Sequence, residues 1–167
     1  MTRNLLRFCA AALAMLAVGG CAATVPGLPL PAPLGAAETA DPHVVLRAAF
    51  TTMFGWRPTT DRSPDDAYAR ARPYLTDELA ARARDRTEGG SKTQWNAWAR
   101  AGAAVRVAVD VSTDEHPPDQ PGRIDRVVLI NQTVTEPGGR PIDTIDLTAW
   151  ATLIETEQGW RIRAVRF

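Results

Sequence analysis

The chain has 167 residues, with 19 basic side chains against 19 acidic ones and 45% hydrophobic content. That balance lacks the clustered positive charge of a nucleic-acid-binding surface, so no nucleic-acid partner is expected. Lysine occurs only at Lys92, with arginine used everywhere else, which reflects codon composition and carries no functional meaning.

The N-terminus has three parts. Arg3 and Arg7 give a positive start, Phe8 to Val18 a short apolar run, and Val18-Gly19-Gly20 lead into Cys21. This is the layout of a secretory signal, and the run is shorter than the ~20 residues a membrane-spanning helix needs. The ending VGGC resembles the lipobox of bacterial lipoproteins. That resemblance implies residues 1–20 as a signal peptide and acylation of Cys21, leaving a palmitate-type anchor on the extracytoplasmic side of the cell membrane. One acyl chain holds a protein only marginally and two hold it firmly. Cys9 leaves with the signal, so no disulfide is expected and stability must come from core packing. Without Arg3 and Arg7 the remainder counts 17 basic against 19 acidic residues, a net of −2.

Residues 21–40 follow as a tether. Pro26, Pro29, Pro31 and Pro33 remove amide donors and favour an extended chain that holds the domain off the membrane. The domain itself is expected over 41–167.

Its first half reads as helices. Asp41-Pro42 is an N-cap followed by proline at the first helical position. Leu46, Ala49, Phe50, Met53 and Phe54 then recur at helical spacing to about Trp56. His43 lies in the first turn and is expected on the surface. Ser63-Pro64-Asp65-Asp66 starts a second helix that stops before Pro73, and Thr76-Asp77-Glu78 caps a third running to about Thr87, with Leu79, Ala80 and Ala83 as its apolar side. Lys92 to Gly102 holds Trp95 and Trp98 on one helical turn, a pair that either lines a ligand pocket or plugs the end of a core.

After Gly102 the apolar period changes to two. Val105, Val107, Val109 and Val111 alternate with polar or small residues as a half-buried strand. The loop 114–122 carries Asp114, Glu115, His116 and Asp119 without the spacing of a metal loop, so no metal is expected there. A second strand spans about Arg123 to Thr135, with Val128, Ile130, Gln132 and Val134 on one side. The third spans about Asp143 to Thr156, with Ile145, Leu147, Ala149, Ala151 and Leu153 on one face. Thr144, Asp146, Thr148, Trp150 and Thr152 take the other. Trp160 to Phe167 forms the fourth. Short turns between these strands make an antiparallel meander the economical topology, and the class is α+β.

Helices ahead of a long antiparallel sheet resemble the NTF2-like, or cystatin-like, fold. The resemblance rests on the helix ending near Trp56, the segment from Tyr74 to Leu79, the Trp95/Trp98 turn and the closing Gly159-Trp160-Arg161-Ile162 strand. It implies N-terminal helices packed on a curved four-stranded antiparallel sheet. With an anchor and a tether, the arrangement is similar to actinobacterial-type envelope proteins, among them VirB8-like and Mce-associated ones.

Three functions follow as expectations. The first is a non-enzymatic interaction module of a cell-envelope secretion, conjugation or transport complex. It would dock an envelope protein or a second copy through the sheet face bearing Trp150, Thr148 and Thr152. The second is a lipoprotein binding a lipid or small apolar ligand in a cavity lined by Phe50, Phe54, Tyr68, Trp95 and Trp98. The third, catalysis, needs an acid or base inside that cavity. The inward positions are aliphatic, and Asp110 and Asp146 would enter only if the strand faces were inverted. No catalytic residue or cofactor is therefore assigned, and the first reading is adopted.

Overall fold

The computed structural model describes residues 32–36, 38–84, 92–112, 114 and 116–167. The expected signal peptide, Cys21 and the tether up to residue 31 lie outside the described residues. The helical half contains α1 (Pro42–Phe54), α2 (Pro64–Arg70), α3 (Asp77–Arg84) and α4 (Lys92–Arg100). The sheet is β1 (Ala104–Ser112), β2 (Arg123–Thr135), β3 (Pro141–Thr156) and β4 (Gly159–Arg166), in the order β1-β2-β3-β4 with every neighbour antiparallel. The fold is α+β, helices on a four-stranded open meander. Among the described residues, no helix is long and apolar enough to cross a membrane.

Local chemistry explains the helix ends. The Asp41 carboxylate accepts the amides of His43 at 2.8 Å and Val44 at 3.3 Å, two donors the first turn would leave orphaned. Gly55 ends α1 two residues short of the expected Trp56. Ser63 caps α2 by accepting from the Asp65 amide at 3.2 Å. Pro73 does not stop the chain from turning helically: Arg72–Tyr74 forms one 3-10 turn, in which proline occupies an early position that needs no amide donor. Arg70 ties α2 back to the end of α1, donating from Nη2 to Asp61 at 2.9 Å and to the Gly55 carbonyl at 3.2 Å.

One core lies between α1 and the inner sheet face. Leu46, Phe50 and Met53 from α1 meet Val128, Ile130, Leu153 and Ile162, all essentially without solvent contact. Each such side chain contributes roughly 1.5–3 kcal/mol by leaving water. A second cluster of Trp98, Ala103, Val105 and Val134 closes the α4 end. Packing onto this body begins ahead of Asp41. Leu34 lies against the core, Thr39 is buried in a 3-10 turn, and that turn covers the β3–β4 hairpin at Gly159.

Candidate functional site

Strand parity places the expected docking residues together on the outer sheet face. Trp150 is paired across the ladder with Val127 on β2 and Arg166 on β4, Thr148 with Leu129, and Thr152 with Asp125. Leu129 and Trp150 are therefore diagonal neighbours on one face, near enough for large side chains to meet. Trp150 is 49% exposed and Leu129 48% exposed, yet Val127 between them is buried. A polar frame surrounds the pair. The Thr152 hydroxyl donates to Asp125, the Asn131 amide donates to Asp146 at 2.6 Å, and Arg123 lies 3.3 Å from Asp125. Asp110 and Asp146 are exposed on this outer face, so the strands are not inverted.

The expected pocket residues are also gathered, and they pack on one another. Phe50 and Phe54 are buried and stack with centroids 5.9 Å apart. Trp95 and Trp98 meet at 6.5 Å, and both rest on Trp56, at 6.1 Å and 6.2 Å. Trp56 in turn lies 6.4 Å from Phe54, so it joins the two pairs into one aromatic row, a role the sequence reading did not assign to it. Tyr68 is half-buried against the same core. Gln132 is fully buried at the end of α1, where its Nε2 donates to the Phe54 carbonyl at 2.8 Å, an oxygen that also accepts the Trp56 amide at 2.9 Å. Among the described residues its Oε1 has no partner.

A third group was missed. Arg126 shares the inward parity of Val128 and Ile130 and is 7% exposed. Its Nη1 and Nη2 donate to the two Asp119 oxygens at 2.6 and 2.8 Å, Nη1 also to the Asp125 carbonyl at 2.9 Å, and Nε to His43 Nε2 at 3.1 Å. A guanidinium is a donor only, so His43 accepts with an unprotonated Nε2 and places its proton on Nδ1. His116 Nδ1 sits 2.7 Å from the Pro117 carbonyl and 3.2 Å from Arg126 Nη1. The shorter contact and the carbonyl's lack of hydrogens make Nδ1–H a donor to Pro117. Both histidines of the chain thus border one arginine, and His43 is a half-buried partner where a free surface residue was expected. The Arg126 hydrogen bonds hold the Asp119 carboxyl below the usual carboxylate range, and the same contact raises the guanidinium. The arrangement latches the β1–β2 loop to the start of α1. Among the described residues, no histidine, cysteine and acid group is arranged to hold a metal ion.

No family model matches this sequence, and no curated protein matches it. The crystal structure of the intermembrane space region of the chloroplast protein ARC6 is similar over 81% of this chain and 97% of that one, at 12% identity and a TM-score of 0.41. A likeness that distant carries neither fold nor function across.

Proposed function

We propose that the chain is a lipid-anchored, non-enzymatic docking module of NTF2-like, cystatin-like type, held outside the cytoplasmic membrane and bound to an envelope protein through its outer sheet face. The observation that carries this is the adjacent exposure of Trp150 and Leu129 on a face that no described element covers. A tryptophan and a leucine ringed by threonines and acids match the anatomy of an interface centre with a polar rim. The signal-like start and VGGC supply the anchor, and the prolines after Cys21 supply the reach. Phe50, Phe54 and Trp98 are buried and Trp95 is half-buried against Trp98, and the contacts within each pair favour a structural part for them over a ligand-binding one.

Site-resolved photocrosslinking in cells tests the docking face. A photoreactive residue in place of Thr148 or Thr152 should capture the same membrane protein, and Trp150→Ala should abolish that capture while leaving the circular dichroism unchanged. Unaltered capture in a folded Trp150→Ala protein would remove this face from the function. Cys21→Ala tests the anchor separately: it should move the protein out of the membrane fraction, and retention there would refute acylation at Cys21.

A further inference from the structure

We infer that a second copy of this chain pairs with β1, antiparallel and centred on Ala108, to join two sheets into one of eight strands. β1 is the first strand of the sheet, and among the described residues its outer edge meets no strand or bridge. A bare edge is a row of unpaired backbone donors and acceptors, which proteins ordinarily blunt with proline, bulges, inward charges or a covering segment. Among the described residues, β1 has none of these. Its nine residues pair with β2 in unbroken register, without proline, and its inner face is entirely valine. Val107, Val109 and Val111 remain only partly buried although they pack against the core.

The strand is complementary to itself. Antiparallel pairing about Ala108 sets Arg106 opposite Asp110 of the second copy, and Asp110 opposite its Arg106, on the outer face. On the inner face it sets Val107 opposite Val109 and Val105 opposite Val111. Within one chain, Arg106 lies across from Thr133 and Asp110 from Leu129, so neither charge has an opposite charge beside it in the ladder. Directly opposed unlike charges and β-branched pairs are the contacts that stabilise neighbouring strands. Ala108, small and exposed, falls on the two-fold axis, where identical residues meet. A two-fold normal to the sheet leaves both helical layers on one side and both Trp150 faces on the other. The contact uses none of Trp150, Thr148 or Thr152, so it holds whether or not that face docks a partner.

Sedimentation of the full chain in detergent, with charge reversals, tests the pairing. The wild type should sediment at twice the mass of one chain. Arg106→Asp brings two carboxylates together at each end of the contact and should weaken the dimer about tenfold or more. Asp110→Arg should do the same, and the double variant Arg106→Asp/Asp110→Arg should restore it. Both positions face solvent, so the single variants should keep the wild-type circular dichroism. A wild type that stays monomeric up to about 100 μM, well above the Kd of a micromolar dimer, would overturn the inference. So would a dimer that ignores both reversals, or one lost in Trp150→Ala and kept in Arg106→Asp, which would place the two-fold on the outer face.

Discussion

The two edges of the sheet are finished in opposite ways. β4 is guarded along much of its length. Leu75 pairs with Ile162 as a parallel bridge, and the Thr76 amide donates to the Ile162 carbonyl at 2.9 Å. A register shift at Thr152/Leu153 bends the β3–β4 pair, the turn of Glu38–Ala40 lies over Gly159, and Arg161, Arg163 and Arg166 add positive charge. β1 has a clean nine-residue ladder on one side and, among the described residues, no strand on the other. Segments far apart in sequence converge on one edge, while the other has a charge pattern that complements itself. Among the described residues the β1 edge is bare beside one well covered, and an unprotected strand invites pairing with any chain that fits it.

The largest expected difference between the edges comes from truncating a valine or isoleucine on each. Ile162 is fully buried and holds the Leu75 bridge, so Ile162→Ala should cost about 2–5 kcal/mol, read from urea midpoints. Val109 on β1 is only half-buried, and Val109→Ala should cost about 1 kcal/mol in the monomer. Equal losses would mean that β1 is as deeply covered as β4. Next comes Gly159→Ala. Gly159 has φ of 91°, and a Cβ there would sit 2.6 Å from the Thr39 carbonyl oxygen. The change should cost upwards of ~1 kcal/mol and speed amide exchange around Thr39, with β1 unaffected. Exchange unchanged at Thr39 would show that this turn does not seal the edge.

How far sequence carried these features depended on the range of the contacts. The caps at Asp41 and Ser63 act within three residues, and strand parity is a property of neighbours, so the helix starts and both sheet faces were legible. Short turns announced the meander, and with it the edge position of β1. The seal on β4 was not legible, because Leu75 bridges Ile162 from a non-strand segment just past Pro73. The latch was missed for the same reason: Arg126 finds His43 across 83 residues. A signal was nevertheless present, since an arginine two residues before Val128 on an alternating strand must face inward and so needs partners. Trp56 was read as a helix end, while the row it joins draws on α4 as well as α1.

The smallest expected effect, a pH dependence, separates the two sides by kind of bond. Beside the β4 edge the ties are backbone hydrogen bonds, whereas the β1–β2 loop is tied by the Asp119–Arg126 ion pair. The Asp119 carboxyl is held below its unfolded value by the arginine. Its contribution is therefore full above the ordinary carboxylate range, near pH 4, and is lost as pH falls through the lowered folded value. Asp119→Asn should lower the urea midpoint at neutral pH, and the gap from wild type should close as the wild type is acidified below about pH 4. Hydrogen exchange should locate the change. Acid should open residues 117–126 in the wild type before it disturbs the Thr76–Ile162 hydrogen bond, which contains no titrating group. Simultaneous opening at both places would mean that the loop and the sealed edge unfold as one unit, with the latch contributing nothing of its own. Opening at the loop alone would make this hairpin end, on the β1 side of the sheet, the less firmly held part of the molecule.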